Sequence, residues 1–474
     1  MKKYLFIIFT LLSIQLSTAQ TITPLGLGTR GSFGNFHDGE IRALFVDDST
    51  NNLYVGGNFP YMDGVLSYGL ARWDGTNWHQ MGSGIIDINQ TPPGTNGAIQ
   101  DIIKYKSEIY VCGTFQKINS QPINTIAKWD GTNFVSIGNF VTSGNGSSYA
   151  IGSEMHVLNE ELYLVGRFDS INSVAVNNIA KWDGSTWTSL SGGFGLGCDN
   201  YQVNSITDFE GDLYVGGNLN CNQVERIYKY NGIQWAQAGP DITGDSWVNK
   251  LYVFKNQLYI GGYFFAAAGN ADNCFMIYDK LANSFLPTAG GTLPSNLKEM
   301  YAYQDNLYVV GQLDYSGNQL NGRTAKWNGT AWQNSNMILI SNSQTPPMPG
   351  GGVGTAFEMV EYQNKLVVAG SINGINNVTA YGIAMVDFTV GLPTKQNDKN
   401  LTIFPNPTNN LLNIQLEKGV QEGSVKLYNQ FGQVVYSQTK GVFKSINVST
   451  FAKGVYFAEV RQEDKVMRQK VVVE

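Results

Sequence analysis

One five-residue phrase recurs through most of this chain and limits what it can fold into. It appears as Leu53-Tyr-Val-Gly-Gly57, Ile109-Tyr-Val-Cys-Gly113, Leu162-Tyr-Leu-Val-Gly166 and Leu213-Tyr-Val-Gly-Gly217. It returns as Leu258-Tyr-Ile-Gly-Gly262, Leu307-Tyr-Val-Val-Gly311 and, weakest, Leu366-Val-Val-Ala-Gly370. The copies start 45 to 59 residues apart. Repetition at such a spacing marks a supersecondary unit that cannot bury its own faces and must stack on its neighbours.

Each unit offers four short extended runs. An apolar run such as Ile41–Val46 precedes the phrase, and a third run ends in an aromatic residue, as in Ala71-Arg-Trp73 or Ala127-Lys-Trp129. The fourth run starts at a second aromatic: Trp78, Phe134, Trp187, Trp235, Phe285 or Trp332. Runs this short, rich in aromatic and β-branched residues and bounded by turns, predict strands. Asp74-Gly75, Asp130-Gly131, Asp183-Gly184, Asn231-Gly232 and Asn328-Gly329 join the third run to the fourth as hairpin signals. The unit therefore predicts a four-stranded antiparallel meander.

Seven such sheets stacked radially predict an all-β fold, a seven-bladed β-propeller over residues 20–390. The last unit lacks its fourth run, whereas Thr21–Gly28 has no unit of its own and resembles a fourth run. The expectation is that this N-terminal segment supplies the missing outer strand beside Gly382–Phe388. The phrase Gly-Gly-x-Phe followed by Ala-Lys-Trp-Asp-Gly-x-x-Trp resembles the kelch-like and cortical-polarity-marker repeats of other secreted propellers. That resemblance implies a fold and says little about function.

The two ends read differently. Residues 1–19 have the form of a signal peptide: Lys2 and Lys3, the apolar Leu5–Leu12, and Ser17-Thr18-Ala19 before Gln20. No other stretch approaches the length of a membrane-spanning helix. Residues 20–390 carry 18 Lys and Arg against 30 Asp and Glu. So acidic a domain argues against nucleic acid as a partner, because phosphate binding needs a basic surface.

A polar linker, residues 391–400, precedes a change of character at residues 401–474. There Phe404-Pro-Asn-Pro-Thr408, Leu412-Asn-Ile414, Val425-Lys-Leu-Tyr-Asn-Gln-Phe-Gly432, Ile446-Asn-Val448, Lys453-Gly-Val-Tyr-Phe457 and Gln469–Val473 follow in order. The set resembles the type A C-terminal sorting domain of the type IX secretion system of the Bacteroidetes group, with Phe404, Pro405, Asn406, Pro407, Gly432, Lys453, Gly454 and Tyr456 as its motif residues. Alternation at Leu412/Ile414/Leu416 and Val455/Phe457 independently predicts a small β-sandwich. The resemblance implies passage through the periplasm, recognition by the outer-membrane secretion machinery, removal by a sortase-like peptidase, and a secreted or surface-attached product.

Chemistry is sparse. The sequence has no Gly-x-Ser-x-Gly elbow, no His-Glu-x-x-His and no calcium loop. Asp74, Asp130 and Asp183 read as hairpin residues before anything catalytic. Cofactors are not expected. Four cysteines are too few for a disulfide framework in so long a chain; Cys198 and Cys221 are the candidate pair, Cys112 reads as packing, and Cys274 has no evident partner. One constellation follows from aligning the units. The residues eight before each repeated phrase are Asp101, Glu154, Ser205, Lys250, Glu299 and Glu358; the first unit, allowing for its longer turn, gives Ala43. On innermost strands these side chains would ring a channel mouth. Four carboxylates and a lysine could hold a cation, or hydrogen-bond a polyol or sugar. The plain alternative is a solvated ring with its charges spread around a wide pore.

Three functions remain from the sequence. The first is a binding or adhesion module for glycan or protein ligands, favoured by the missing catalytic set. The second is a glycan-active hydrolase or lyase using the channel-mouth carboxylates. The third is a passive structural element of the cell surface.

Overall fold

The computed structural model describes residues 20–29, 39–82, 84–85, 97–118, 121–142, 149–194, 202–219, 224–243, 246–264, 274–288, 296–312, 323–340, 354–388, 401–416, 423–429, 434–439, 441, 445–462 and 465–474. Cys198, Cys221, Gly432, the leader at 1–19 and the linker at 391–400 lie outside the described residues. The chain divides into two compact units, Thr21–Asp387 and one that includes Phe388–Glu474. The described residues are all-β.

Thr21–Asp387 contains seven four-stranded antiparallel sheets, one per repeat. Their first strands are Glu40–Asp47, Ile99–Tyr105, Ile151–Leu158, Gln202–Phe209, Trp247–Phe254, Asn296–Tyr303 and Thr355–Tyr362, here sheets 1 to 7. In sheets 1 to 6 the strands follow one another as a meander. Sheet 7 takes Thr21–Pro24 as its fourth strand, antiparallel to Ile383–Asp387, with Thr21 opposite Asp387 and Pro24 opposite Ala384. That is the position which the missing fourth run assigned to the N-terminal segment.

Each first strand packs against the first strand of the next sheet, and that of sheet 7 packs against that of sheet 1. The hydrophobic cores accordingly lie between sheets. Ala43, Tyr54 and Leu70 of sheet 1 share one with Ile99, Ile102 and Val111 of sheet 2. Ile41 and Val55 share another with Val367 and Ile383 of sheet 7. Tyrosines at the ends of first strands add hydrogen bonds to the next sheet's tight turn. Tyr105 donates to Glu160 O at 2.8 Å, Tyr303 to Asn364 O at 2.7 Å, and Tyr362 to Asn51 O at 3.0 Å. Trp78, Trp187 and Trp235, which open fourth strands, donate their indole N–H to Leu25 O, Ile137 O and Leu190 O.

The repeated phrase is explained by a β-bulge. In every sheet the first strand carries one extra residue opposite the phrase's final pair; in sheet 1 Ile41 faces Gly57, Ala43 faces Gly56, and Arg42 has no partner. The same shift recurs in the other six. The bulge brings a carbonyl over the last position of the phrase. A Cβ on Gly57 would lie 2.1 Å from Glu40 O, and one on Gly166 2.0 Å from Ile151 O. Backbone cannot yield there, so all seven copies end in Gly. The preceding position meets side chains of the next sheet instead, as Gly216 does Val248. It therefore tolerates Cys112, Val165, Val310 and Ala369.

The Asp-Gly turns differ in detail from the sequence expectation. Gly75 takes positive φ, but Asp74 does not. Asp74 acts through its carboxylate, whose Oδ1 accepts from the backbone N–H of Thr76 and Asn77 at 2.8 Å each. Asp130 and Asp183 repeat this arrangement.

The C-terminal unit has two antiparallel sheets. Leu401–Phe404, Leu411–Leu416 and Ile446–Asn447 form one; Val434–Gln438, Ser424–Asn429, Gly454–Gln462 and Lys465–Val473 form the other. Leu401, Ile403, Leu412, Ile414, Val425, Leu427, Tyr456 and Val471 share one core.

The bulge contact makes a prediction. Gly217→Ala should lower stability by about 2–3 kcal/mol, because overpacking against backbone cannot relax. Gly216→Ala should cost clearly less, since the Val248 side chain can move. Urea unfolding of both variants checks this, and equal losses would refute it.

Candidate functional site

The bulges place two consecutive residues of five first strands in one lining, where strict alternation would send them to opposite faces; from the Arg42/Ala43 and Asn204/Ser205 pairs only Arg42 and Asn204 take part. One cavity of about 530 Å³ is lined by Asp101, Glu154, Lys250, Glu299 and Glu358 together with the bulge residues Arg42, Gln100, Ser153, Asn204, Asn249, Lys298 and Phe357. The structure thus brings together the five ionisable residues that the aligned repeats single out. Ser205 is fully buried, and Ala43 supplies no polar group. The bulge residues were missed, because a period of two hides them. Their signal was the spacing itself, since a Gly-Gly pair opposite an inner strand marks room for an extra residue.

The charges are not spread around a wet pore. Lys250 Nζ reaches Glu154 Oε1 at 2.7 Å and Glu299 Oε2 at 3.0 Å, linking sheet 5 to sheets 3 and 6. Three of the seven positions clamp the next sheet. Asp101 Oδ2 accepts from Met155 N at 2.7 Å, Glu154 Oε2 from Ile206 N at 2.8 Å, and Ser205 Oγ from Leu251 N at 3.0 Å. Glu299 and Glu358 instead accept from the N–H of their own following residues, Met300 at 2.8 Å and Met359 at 3.2 Å. These acceptors satisfy N–H groups of strands that have no sheet partner on that side. The carboxylates therefore have a structural task whatever they bind.

Their electrostatics are strained by enclosure. Burial, and then the charge of Glu154, raises the Asp101 carboxyl to about 7. Burial raises Glu299 to about 7 against the opposing pull of Lys250. Burial, then the Glu299 charge, pushes Glu358 well above the usual carboxylate range. Lys250 is held well above its ordinary value by Glu154, Glu299 and Glu358, which outweigh its desolvation. Near the cavity's other charges, burial and the Arg42 charge lower Lys298. Arg42 is paired with Glu40 at 2.6 Å and lies 5.3 Å from the centre of the Phe357 ring.

Among the described residues, no group of three or more His, Cys, Asp or Glu side chains has the geometry to hold a metal ion. Cys112 and Cys274 are buried, Cys274 Sγ donates to Phe264 O at 3.7 Å, and burial pushes the Cys112 thiol up. Phe59, Phe115, Phe168 and Phe264, which border the loops after the second strands, are fully buried packing residues.

In the C-terminal unit the sorting-motif residues do structural work. Asn406 Nδ2 donates to Lys470 O at 2.7 Å, and its Oδ1 accepts from Val472 N at 2.8 Å, which ties the Pro-Asn-Pro segment to the last strand. Tyr456 is buried and donates to Ala452 O at 2.7 Å. Phe404 is 44% exposed, so its ring is not held in the core. Residues 402–474 match the family described as secretion system C-terminal sorting domain. That domain supports export by the type IX secretion system, to the cell surface or outside the cell, and implies interaction with its machinery. No curated protein matches the chain. Among solved structures, the computationally designed Ika8 protein is similar over 95% of this chain and 100% of its own, at 12% identity. The TM-score of that match is 0.38. No helix among the described residues is long and apolar enough to cross a membrane.

The raised carboxyls fix a pH dependence. Asp101, Glu299 and Glu358 hold their protons more tightly folded than unfolded. Their stabilising contribution is complete below the unfolded values near ~4 and is lost as pH rises through about 7. Urea midpoints should fall from pH 5 to pH 8, and Glu358→Gln should make that fall shallower. An unchanged slope in the variant would show that Glu358 is not proton-linked to folding.

Proposed function

We propose that Thr21–Asp387 is a seven-bladed β-propeller of kelch-like repeats, closed by its N-terminal strand, that serves as a binding module for glycan or protein ligands on an exported protein. The order of packing among first strands, with sheet 7 against sheet 1, supports the ring. The binding reading rests on one observation: all five aligned ionisable residues line a single cavity of about 530 Å³. That volume is within the range of about 300–1,000 Å³ typical of small-molecule pockets. Its lining of carboxylates, ammonium groups, amides and one aromatic ring suits a polar ligand held by directed hydrogen bonds. On this reading residues 1–19 are the leader, 391–400 a linker, and 401–474 the removable address.

Binding of surface polysaccharides and peptides by the purified protein tests the proposal. Glu154→Gln combined with Glu299→Gln should weaken whatever binds by at least about tenfold, as expected when buried charged partners are lost. Unchanged binding in that variant would sink the assignment of the cavity.

The raised Asp101 and Glu299 carboxyls support a second reading, a glycan-active hydrolase or lyase, because a carboxyl near 7 can donate a proton at neutral pH. Release of shortened products from the same polysaccharides would establish it; binding without product release would dismiss it.

The export reading has its own test. Removing Leu401–Glu474 should leave the protein in the periplasm, detected by cell fractionation. Normal appearance of the truncated protein outside the cell would overturn the role of the tail.

A further inference from the structure

The cavity's charges are divided unevenly, and the division describes a ligand. Lys250 forms ion pairs on the side of sheets 3 and 6, with Glu154 and Glu299. Sheets 7, 1 and 2 supply no cation at the same level, and the Lys250 charge reaches Glu358 and Asp101 without an ion-pair contact to either. There Glu358 and Asp101 stand on either side of the sheet that supplies Ala43, and the Asp101 charge acts directly on Glu358. Neither has an ion-pair partner among the described residues. Asp101 Oδ1 and Oδ2 each accept one backbone N–H, but of the Glu358 oxygens only Oε1 does. Oε2 of Glu358 is the one cluster carboxylate oxygen left without a partner among the described residues.

The bulge level has the opposite imbalance. Lys298, Phe357 and Arg42 come from sheets 6, 7 and 1, and all three line the cavity. Arg42 spends its charge on Glu40. Lys298 has no ion pair among the described residues, and enclosure with Arg42 disfavours its charge. One end of the cavity thus lacks a cation, and an adjacent part lacks an anion. The Phe357 ring stands between the two in sequence, on the same bulge.

We propose that the cavity binds a small zwitterion, an amino acid or dipeptide, with its ammonium at Glu358 and Asp101 and its carboxylate at Lys298. The proposal rests on the binding-module reading and specifies its ligand class. An ammonium donates three hydrogen bonds, which matches the open Glu358 oxygen and the remaining lone pairs of Asp101. A carboxylate beside Lys298 would supply the missing countercharge, and the Phe357 face would lie against the carbon skeleton. Burial is the main cause of the raised Glu358 and the lowered Lys298, and a ligand countercharge would offset it in both. A neutral sugar would satisfy the hydrogen bonds and leave both imbalances in place.

Calorimetric titration of the full-length protein at pH 7 tests this with four probes of similar size. Glycylglycine should bind. N-acetyl-glycylglycine, which lacks the ammonium, and glycylglycine amide, which lacks the carboxylate, should each bind at least about tenfold more weakly, the scale of a lost buried charge contact. Sucrose should not compete. Because those comparisons use unaltered protein, they stand even if a variant folds poorly. Glu358→Gln should weaken glycylglycine and the amide and leave the acetylated probe unaffected, whereas Lys298→Met should weaken glycylglycine and the acetylated probe and leave the amide unaffected. Equal binding of all three peptides, or preference for sucrose, would overturn the zwitterion while keeping a binding cavity. If none of the four probes binds, the zwitterion proposal fails, and binding of the polysaccharide panel then decides whether the cavity reading survives.

Discussion

The contact on which this architecture depends is between a glycine and a carbonyl. In each sheet the bulged first strand lays a backbone oxygen about 2 Å from where a Cβ would sit on the last residue of the repeated phrase. No side chain fits, and no rotamer change can make room. The bulge in turn sets the lining of the cavity. It turns two consecutive residues toward the cavity in five of the seven first strands, so the lining holds paired rows rather than one. Without the glycine the bulge would be lost, and with it either Arg42, Lys298 and their counterparts or the carboxylates behind them.

The second constraint is the exposed ladder of those first strands. Each has a sheet partner on one side only, so its other N–H groups need acceptors. The protein meets the need with side chains from neighbouring sheets. Asp101, Glu154 and Ser205 do this at one level, and Tyr252 and Tyr301 accept from Ala302 N and Glu361 N at 3.0 Å at the next. Polar residues at these positions thus join sheet to sheet and create the polar interior together. Structural and binding roles are difficult to separate by substitution here, which is why changes on the ligand are more decisive than changes on the protein.

Most of the architecture was legible because it is written in repetition. Strand positions, the Asp-Gly turns, the sheet count and the partner of Thr21–Pro24 follow from phrases that recur with local signals. The sorting tail was legible because its motifs stand in order. What could not be read was whatever depends on the bulge. Period-two alternation places Arg42, Asn249 and Lys298 on the wrong face, so the basic part of the cavity was invisible. The same spacing did pick out Asp101, Glu154, Lys250, Glu299 and Glu358, but not that Lys250 would gather two of them and leave the others unmatched. Pairing across sheets depends on side-chain reach between residues as far apart as Glu154 and Lys250, which no local pattern encodes.

The lone Ala43 gives the asymmetry its physical sense. An acceptor reaching across at every one of the seven positions would close the interior into a hydrogen-bond circuit with no preference for one side, but Glu299 and Glu358 turn back to their own strands. Sheet 1 breaks that circuit: Ala43 contributes a methyl group to the core shared with sheet 2 and offers no acceptor. Lys250 breaks it a second time from sheet 5, by replacing an acceptor with a donor that draws in Glu154 and Glu299. Enclosing Glu358 and Asp101 without an ion pair costs free energy, which shows as their raised carboxyl pKa values. The interactions between the sheets must offset that cost in the empty protein, and a cationic ligand group would remove it.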